Sequence, residues 1–248
     1  MAEQLSVDLE RPTVPEEYEG YAAHKGWRGI DERSWSLFVE TFDGELCGIP
    51  LAGRRVLEVG FGNGEFLRYA RERGAIVTGL EINPELVARQ AALGYDARVS
   101  RFYDDPSLPE RAFHLLLAFD VLEHLTPSEI RLFFRRASEV LVPGGHLALR
   151  FPNGQSPFGF YHQAGDITHR TLLTARSVDQ LARPLGFRLI RAGNAYRDRG
   201  CSPADRLRRS VAYSLRTTIE YLVGLLYFGQ RIDLDPNVTV LFSAAYER

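Results

Sequence analysis

The 248-residue chain predicts an α/β fold, a doubly wound, Rossmann-like sheet of mostly parallel strands. Two observations carry that expectation. From Gly53 onward, short β-rich runs alternate with helical stretches, the pattern of βαβ units. Three glycines at alternate positions, Gly60, Gly62 and Gly64, then follow directly on the first run, where an open α/β sheet turns from strand to helix over a ligand.

Taken in order, residues 1 to about 20 are polar, contain Pro12 and Pro15, and read as a loosely ordered arm. "DERSWSLFVETFDGEL" (31–46) has helical apolar spacing, and residues 1–52 form an N-terminal arm with a helix. A core over 53–196 begins with the strand "RVLEVG", the helix "GEFLRYARERG", the strand "AIVTGLEI" and the helix "PELVARQAALG". "FHLLLAF" (113–119) is a core strand, and the next helix opens on "TPSE", where Thr126 caps and Pro127 fits the first turn. "LVPGGHLALRF" ends that helix in a Pro-Gly-Gly turn and starts a strand. "TARSVDQLARPLG" and "FRLIRAG" read as helix and strand, and "NVTVLFSAAYE" supplies the last strand within 237–248. Between them, 197–236 is a helical insertion in which Leu207, Val211, Leu215, Ile219, Leu222 and Leu226 give one helix face an apolar stripe.

Composition narrows the function. With 45% hydrophobic residues the chain can bury a real core, and a net charge of −2 gives no broad case for nucleic acid. Cys47 and Cys201 lack CxxC spacing, so neither a zinc site nor a disulfide framework is expected, and a reducing cytoplasm is the natural setting. No run reaches the ~18 apolar residues of a membrane span, and the N-terminus lacks a signal core, so a soluble protein is expected.

Glycines at a strand tip let the backbone approach a ligand while the next helix presents its N–H groups. A dinucleotide site wants G-x-G-x-x-G, but Glu65 takes the place of its third glycine, and a carboxylate there would face phosphates unfavourably. A positively charged ligand without phosphate suits Glu58, just before the turn. "EVGFGNG" resembles the E-x-G-x-G-x-G motif of class I S-adenosylmethionine-dependent methyltransferases. The resemblance runs from about Gly53 to Phe187 and includes "GLEINPE" (79–85) and "LVPGGHLALRFPN" (141–153). "FDVLEHL" (119–125) is similar to the element found in the ubiquinone-biosynthesis and polysaccharide-modifying members.

That resemblance implies a seven-stranded sheet whose last strand is antiparallel, and S-adenosyl-L-methionine as cofactor. It implies that Glu81 accepts hydrogen bonds from the ribose hydroxyls, with Ile82 beside it, and that Asp104 or Asp105 serves the adenine amino group. Glu58, Gly60, Gly62 and Gly64 would contact the cofactor, and the backbone near Phe119 and Asp120 would border its methionine part. Where the family usually begins the fourth strand Phe-Asp, this chain has Phe113-His114, so a carboxylate is missing there.

Methyl transfer to a hydroxyl needs a base, and histidine's ordinary pKa suits it. "GDITHRTLLTARS" (165–177) resembles the D-x-T-H element that borders the acceptor pocket in polysaccharide-type members, making His169 the first choice of base, with Asp166 orienting it or binding the acceptor. His124 is the second, and structural roles compete for both. His162 shares a loop with Phe158, Phe160 and Tyr161, which either wall the acceptor pocket or pack on the sheet. Tyr21 or Trp27 either forms a lid, as N-terminal segments do in many relatives, or simply packs. No metal cluster is expected. For the insertion, with Arg206, Arg208, Arg209 and Arg216 near its start, packing on the sheet competes with a substrate cap, a homodimer face and a peripheral membrane contact. The function expected is O-methylation of a sugar, glycan or other small molecule. A non-catalytic cofactor-binding subunit would bind cofactor without turnover, and a nicotinamide-dependent oxidoreductase would prefer the other cofactor in a titration.

Overall fold

A computed structural model describes residues 18, 20–200 and 202–245, so the expected arm before Tyr18 and Cys201 lie outside the described residues. Seven strands form one sheet: β1 (Arg55–Val59), β2 (Ile76–Glu81), β3 (Asp96–Val99), β4 (Phe113–Phe119), β5 (Leu141–Pro152), β6 (Phe187–Asn194) and β7 (Asn237–Ala244). Their order is β3-β2-β1-β4-β5-β7-β6. The first five run parallel, and β7 lies antiparallel between β5 and β6. The expected seven-stranded, mostly parallel sheet with an antiparallel last strand is therefore present. β3 was not legible as a separate run because four residues, "DARV", at a sheet edge carry too little apolar alternation to stand out.

The helices are α1 (Tyr21–His24), α2 (Trp35–Glu45), α3 (Glu65–Glu72), α4 (Pro84–Ala92), α5 (Pro127–Val140), α6 (Gly159–Ala164), α7 (Ala175–Ala182) and α8 (Pro203–Val223). Their starts follow local chemistry. Asn83 accepts the N–H of Glu85 ahead of Pro84, and Thr126 and Glu129 form a reciprocal capping box ahead of Pro127.

Side chains alternate across the strands, which divides the core in two. Leu57, Leu116, Leu147 and Phe242 join α5 and α7 on one face, while Val56, Leu115, Leu117 and Leu241 join α2 and α3 on the other. β4 is apolar on both faces because helices cover both, and each fully buried leucine there stabilises the fold by roughly 1.5–3 kcal/mol. His114 is a strand residue whose Nδ1 accepts the N–H of Arg55 at 3.3 Å, so the strand tolerates it in place of the family carboxylate.

Along α8 the apolar stripe turns to solvent. Leu207 is 68% exposed, Leu215 60% and Leu226 76%, while Glu220 and Gly224 are the helix-side residues that are buried. Of the competing readings of this stripe, packing on the sheet does not hold, because the inward face of α8 is the polar one: Glu220 accepts from Asn194 Nδ2 at 2.8 Å and pairs with Arg197.

Candidate functional site

The strand order reverses between β1 and β4, and an open α/β sheet binds ligands in the crevice at the carboxyl ends of such a pair. A cavity of about 290 Å³ lies there, lined by the tips of β1, β2 and β4 and roofed by Tyr18, Tyr21 and Trp27.

Gly60, at the start of the glycine turn, lines its floor, while Gly62 and Gly64 do not reach the cavity wall. Gly60, Gly62 and Gly64 hold φ values of 71°, 52° and 90°, a conformation that residues with a Cβ rarely adopt. A Cβ at Gly60 would lie 2.6 Å from Val121 Cγ2, and one at Gly62 would lie 3.0 Å from the Trp27 indole. The turn is therefore as close to its neighbours as bare backbone permits. Gly64 is pressed against Gln90 rather than the cavity and lets α3 pack on α4.

Glu81, at the tip of β2, is buried at the cavity wall. Its carboxylate accepts the N–H groups of Gly62 at 3.1 Å, Ile82 at 2.8 Å and Asn83 at 3.1 Å. Burial raises its pKa, opposed by those three donors. One side chain thus ties the glycine turn to the end of β2, and Ile82 lines the cavity beside it.

Glu58 lies elsewhere. It is buried beneath the turn, not on the cavity wall, and burial raises its pKa strongly with help from Glu65 and Glu81. Asp104 is exposed at the end of a 3-10 turn, and Asp105 is bound to Ser100 and Ser107, so neither carboxylate lines the cavity. Phe119 faces α2, stacking on Phe42 under the Arg150 guanidinium. Asp120 does line the cavity and pairs with Arg150 at an unusual φ of 57°, a backbone strain that marks the end of β4.

The rim carries an acid–alcohol–imidazole chain. Asp166 accepts from Tyr21 Oη at 3.0 Å, Lys25 Nζ at 2.9 Å and the backbone and hydroxyl of Thr168 at 3.0 and 2.6 Å. Burial pushes its carboxyl up, but the Thr168 and Lys25 contacts outweigh that and hold it well below the usual carboxylate range. Ionised Asp166 can only accept, so Thr168 spends its one proton on Asp166. His124 Nδ1, 2.8 Å from the same hydroxyl, must then donate, which leaves His124 Nε2 with a free lone pair. Burial and neighbouring His169 depress the His124 pKa to about 4, so the ring stays neutral at ordinary pH.

His169 stands behind His124, their ring centroids 4.6 Å apart, and does not line the cavity. Its Nε2 is 3.9 Å from Asp166, and its Nδ1 is buried without a partner among the described residues. The fold brings Asp166 and both histidines together, and it puts His124 in front. Glu123, beside His124, is buried, and burial and then Asp120 raise its pKa. Glu123, His124 and His169 present ligand atoms within 4.8 Å of one another, a set that could hold a cation or a proton and that sequence spacing did not reveal. His162, Phe158, Phe160 and Tyr161 lie on and beside α6, with the three aromatic residues exposed.

Comparison with known proteins agrees with this geometry. The profile described as "Methyltransferase domain" matches residues 32–192. A 27-O-demethylrifamycin SV methyltransferase of Amycolatopsis mediterranei is 37% identical over 140 residues, which is 52% of this chain and 51% of that protein. A demethylmenaquinone methyltransferase of Tropheryma whipplei is 34% identical over 108 residues, 42% of this chain and 44% of that protein. The chain thus spans about half the length of the curated relatives it matches. Among solved structures, a SAM-dependent methyltransferase from Archaeoglobus fulgidus shares the fold with a TM-score of 0.64 at 17% identity, covering 90% of this chain and 98% of that one.

Proposed function

Because the chain belongs to the methyltransferase-domain family, whose cofactor is S-adenosyl-L-methionine, we propose that it transfers that cofactor's methyl group to an oxygen of a sugar or other small molecule. The observation that carries the reading is the pairing, around one cavity, of the Glu81-braced glycine turn with the Asp166–Thr168–His124 chain.

The residues present fit the cofactor. Bare backbone at Gly60 lines the cavity, and the Glu81 carboxylate beside it suits ribose hydroxyls. Asp120 offers a carboxylate near the opposite strand tip. When bound, the cofactor would supply an electrophilic methyl carbon with a neutral thioether as its leaving group. The chain's own part is to hold the acceptor oxygen in line and receive its proton at His124 Nε2. Tyr21 and Trp27 roof the cavity and keep water from competing. His169 supports the His124 ring from behind rather than meeting the acceptor. Oxygen as the accepting atom is supported by the D-x-T-H resemblance and by the relative whose name specifies a 27-O position.

The test is incubation of the protein with methyl-labelled cofactor and cell extract separated into aqueous metabolite, lipid, protein and nucleic-acid fractions. Label is expected in a metabolite or lipid fraction, falling by about 10² or more in His124→Ala while cofactor affinity persists. Cofactor binding with no label in any fraction would replace this reading with a non-catalytic binding subunit.

A further inference from the structure

We infer that α8 and the turn after it dock this protein onto an anionic lipid surface. The observation is an inverted amphipathic helix. The ordinary surface helix buries its apolar stripe and wets its polar one. Here Val211, Ile219 and Leu222 are 52%, 52% and 49% exposed, and beyond them Leu225, Leu226, Tyr227 and Phe228 are 54–78% exposed on the following π-helical turn. A contiguous apolar face of this kind on a water-soluble domain marks an interaction site.

The charges choose the occupant. Along 203–231 the acids are Asp205, held by Arg208 and Arg209, and Glu220, buried against Asn194 and Arg197. Of the segment's arginines, Arg209 is part-buried and committed to Asp198 and Asp205, while Arg206, Arg216 and Arg231 are exposed and Arg208, beside Asp205, keeps a side chain 74% exposed. A second copy of the same helix would bring arginines against arginines with no acid free to pair with them. Anionic headgroups complement them, while the leucines and the aromatic rings of Tyr221, Tyr227 and Phe228 suit the boundary between headgroup and acyl chain. No described helix is long and apolar enough to cross a membrane, so the segment lies on the surface.

A second exposed patch adjoins the same connection. Ser156 Oγ donates to Leu234 O at 2.5 Å and Asn153 Nδ2 to Asp233 O at 3.0 Å, fixing the start of the 153–167 loop to the chain leaving α8. That loop exposes Phe160, Tyr161 and Ile167 by 62%, 81% and 95%, and Asp166 of the rim follows within it. Docking through both patches would place the mouth of the catalytic cavity near the lipid. This last consequence rests on the proposed function, whereas docking itself does not.

The experiment is co-sedimentation of the full chain with phosphatidylcholine vesicles, with and without phosphatidylglycerol, alongside light scattering of the protein alone. Wild type should bind the phosphatidylglycerol vesicles, weakly bind the neutral ones, and lose affinity as salt rises. L222E/L226E should weaken binding by about tenfold or more, since both leucines would otherwise enter the interface, and retained cofactor binding would show the variant folded. R208Q/R216Q should lower binding only on the anionic vesicles. Absence of vesicle binding, or binding indifferent to L222E/L226E, would overturn the inference. So would a wild-type dimer that L222E/L226E dissociates, which would assign the face to a second copy. Lost methyl transfer with intact vesicle binding would count against the proposed function alone.

Discussion

Glu81 concentrates the residue-scale argument, because one buried carboxylate holds three backbone N–H groups and still lines the cavity. Glu81→Ala should weaken cofactor affinity by about 10–100-fold, since it removes a charge-assisted acceptor and strands buried donors. Calorimetry would check this, and unchanged affinity would remove Glu81 from the cofactor site. The second residue-scale prediction concerns pH. A lone histidine base would lose activity as pH falls through 6.5, whereas His124, depressed to about 4, should keep kcat/KM level from neutrality to about pH 5 before it drops. The linkage has the same sign. His124 resists protonation only while folded, so its contribution to stability is complete above 6.5 and drains as pH falls toward about 4. A profile breaking near 6.5 would assign the base elsewhere. Glu123 runs the other way. Its raised pKa means ionisation opposes folding as pH climbs, so Glu123→Gln should gain Tm relative to wild type as pH rises above the ordinary carboxylate range. A gain that shrinks as pH rises would mean the carboxylate has a compensating partner.

At the scale of elements, the strap from α1 to Gly29 explains how a segment outside the sheet enters the site. Trp27 lies over Gly62, its carbonyl accepts from Arg89 at 2.9 Å, Gly29 N–H donates to Asn63 at 2.9 Å, and Lys25 reaches Asp166. Trp27→Ala should weaken cofactor binding about tenfold by opening the roof, measured by titration, and a change under about twofold would reduce the strap to packing. The sequence already showed the first two strand–helix units, the cap at Thr126, and the glycine turn, because these depend on local spacing. It could not show which histidine faces the cavity, since His124 and His169 are set by a loop returning over β4. Nor could it place Glu58, whose position before the turn is compatible with facing either the ligand or the underside of α3. The stripe on α8 was legible as periodicity, but periodicity identifies a face without saying what covers it.

For the whole molecule, stability should be distributed as burial is. β1, β4 and β5 lie at the centre with helices on both faces, so their amides open only with global unfolding. α8 is tied to the body through Glu220, bound to Asn194 and Arg197, and through Arg209, paired with Asp198, while the residues of its apolar stripe stay about half or more exposed in the free protein. Hydrogen exchange should therefore run orders of magnitude faster in 207–226 than in β4, and faster than in α5, whose Phe133 and Phe134 are fully buried. Adding cofactor should slow exchange in 20–29 and around Gly60 to Gly64 and leave α8 unchanged, because none of its residues lines that cavity. Adding phosphatidylglycerol vesicles should do the reverse, protecting 207–228 and sparing the glycine turn. If α8 proves as protected as α5 in free protein, its stripe is already covered by a second copy or by another part of the chain, and the division between a rigid catalytic core and a surface-seeking helix fails.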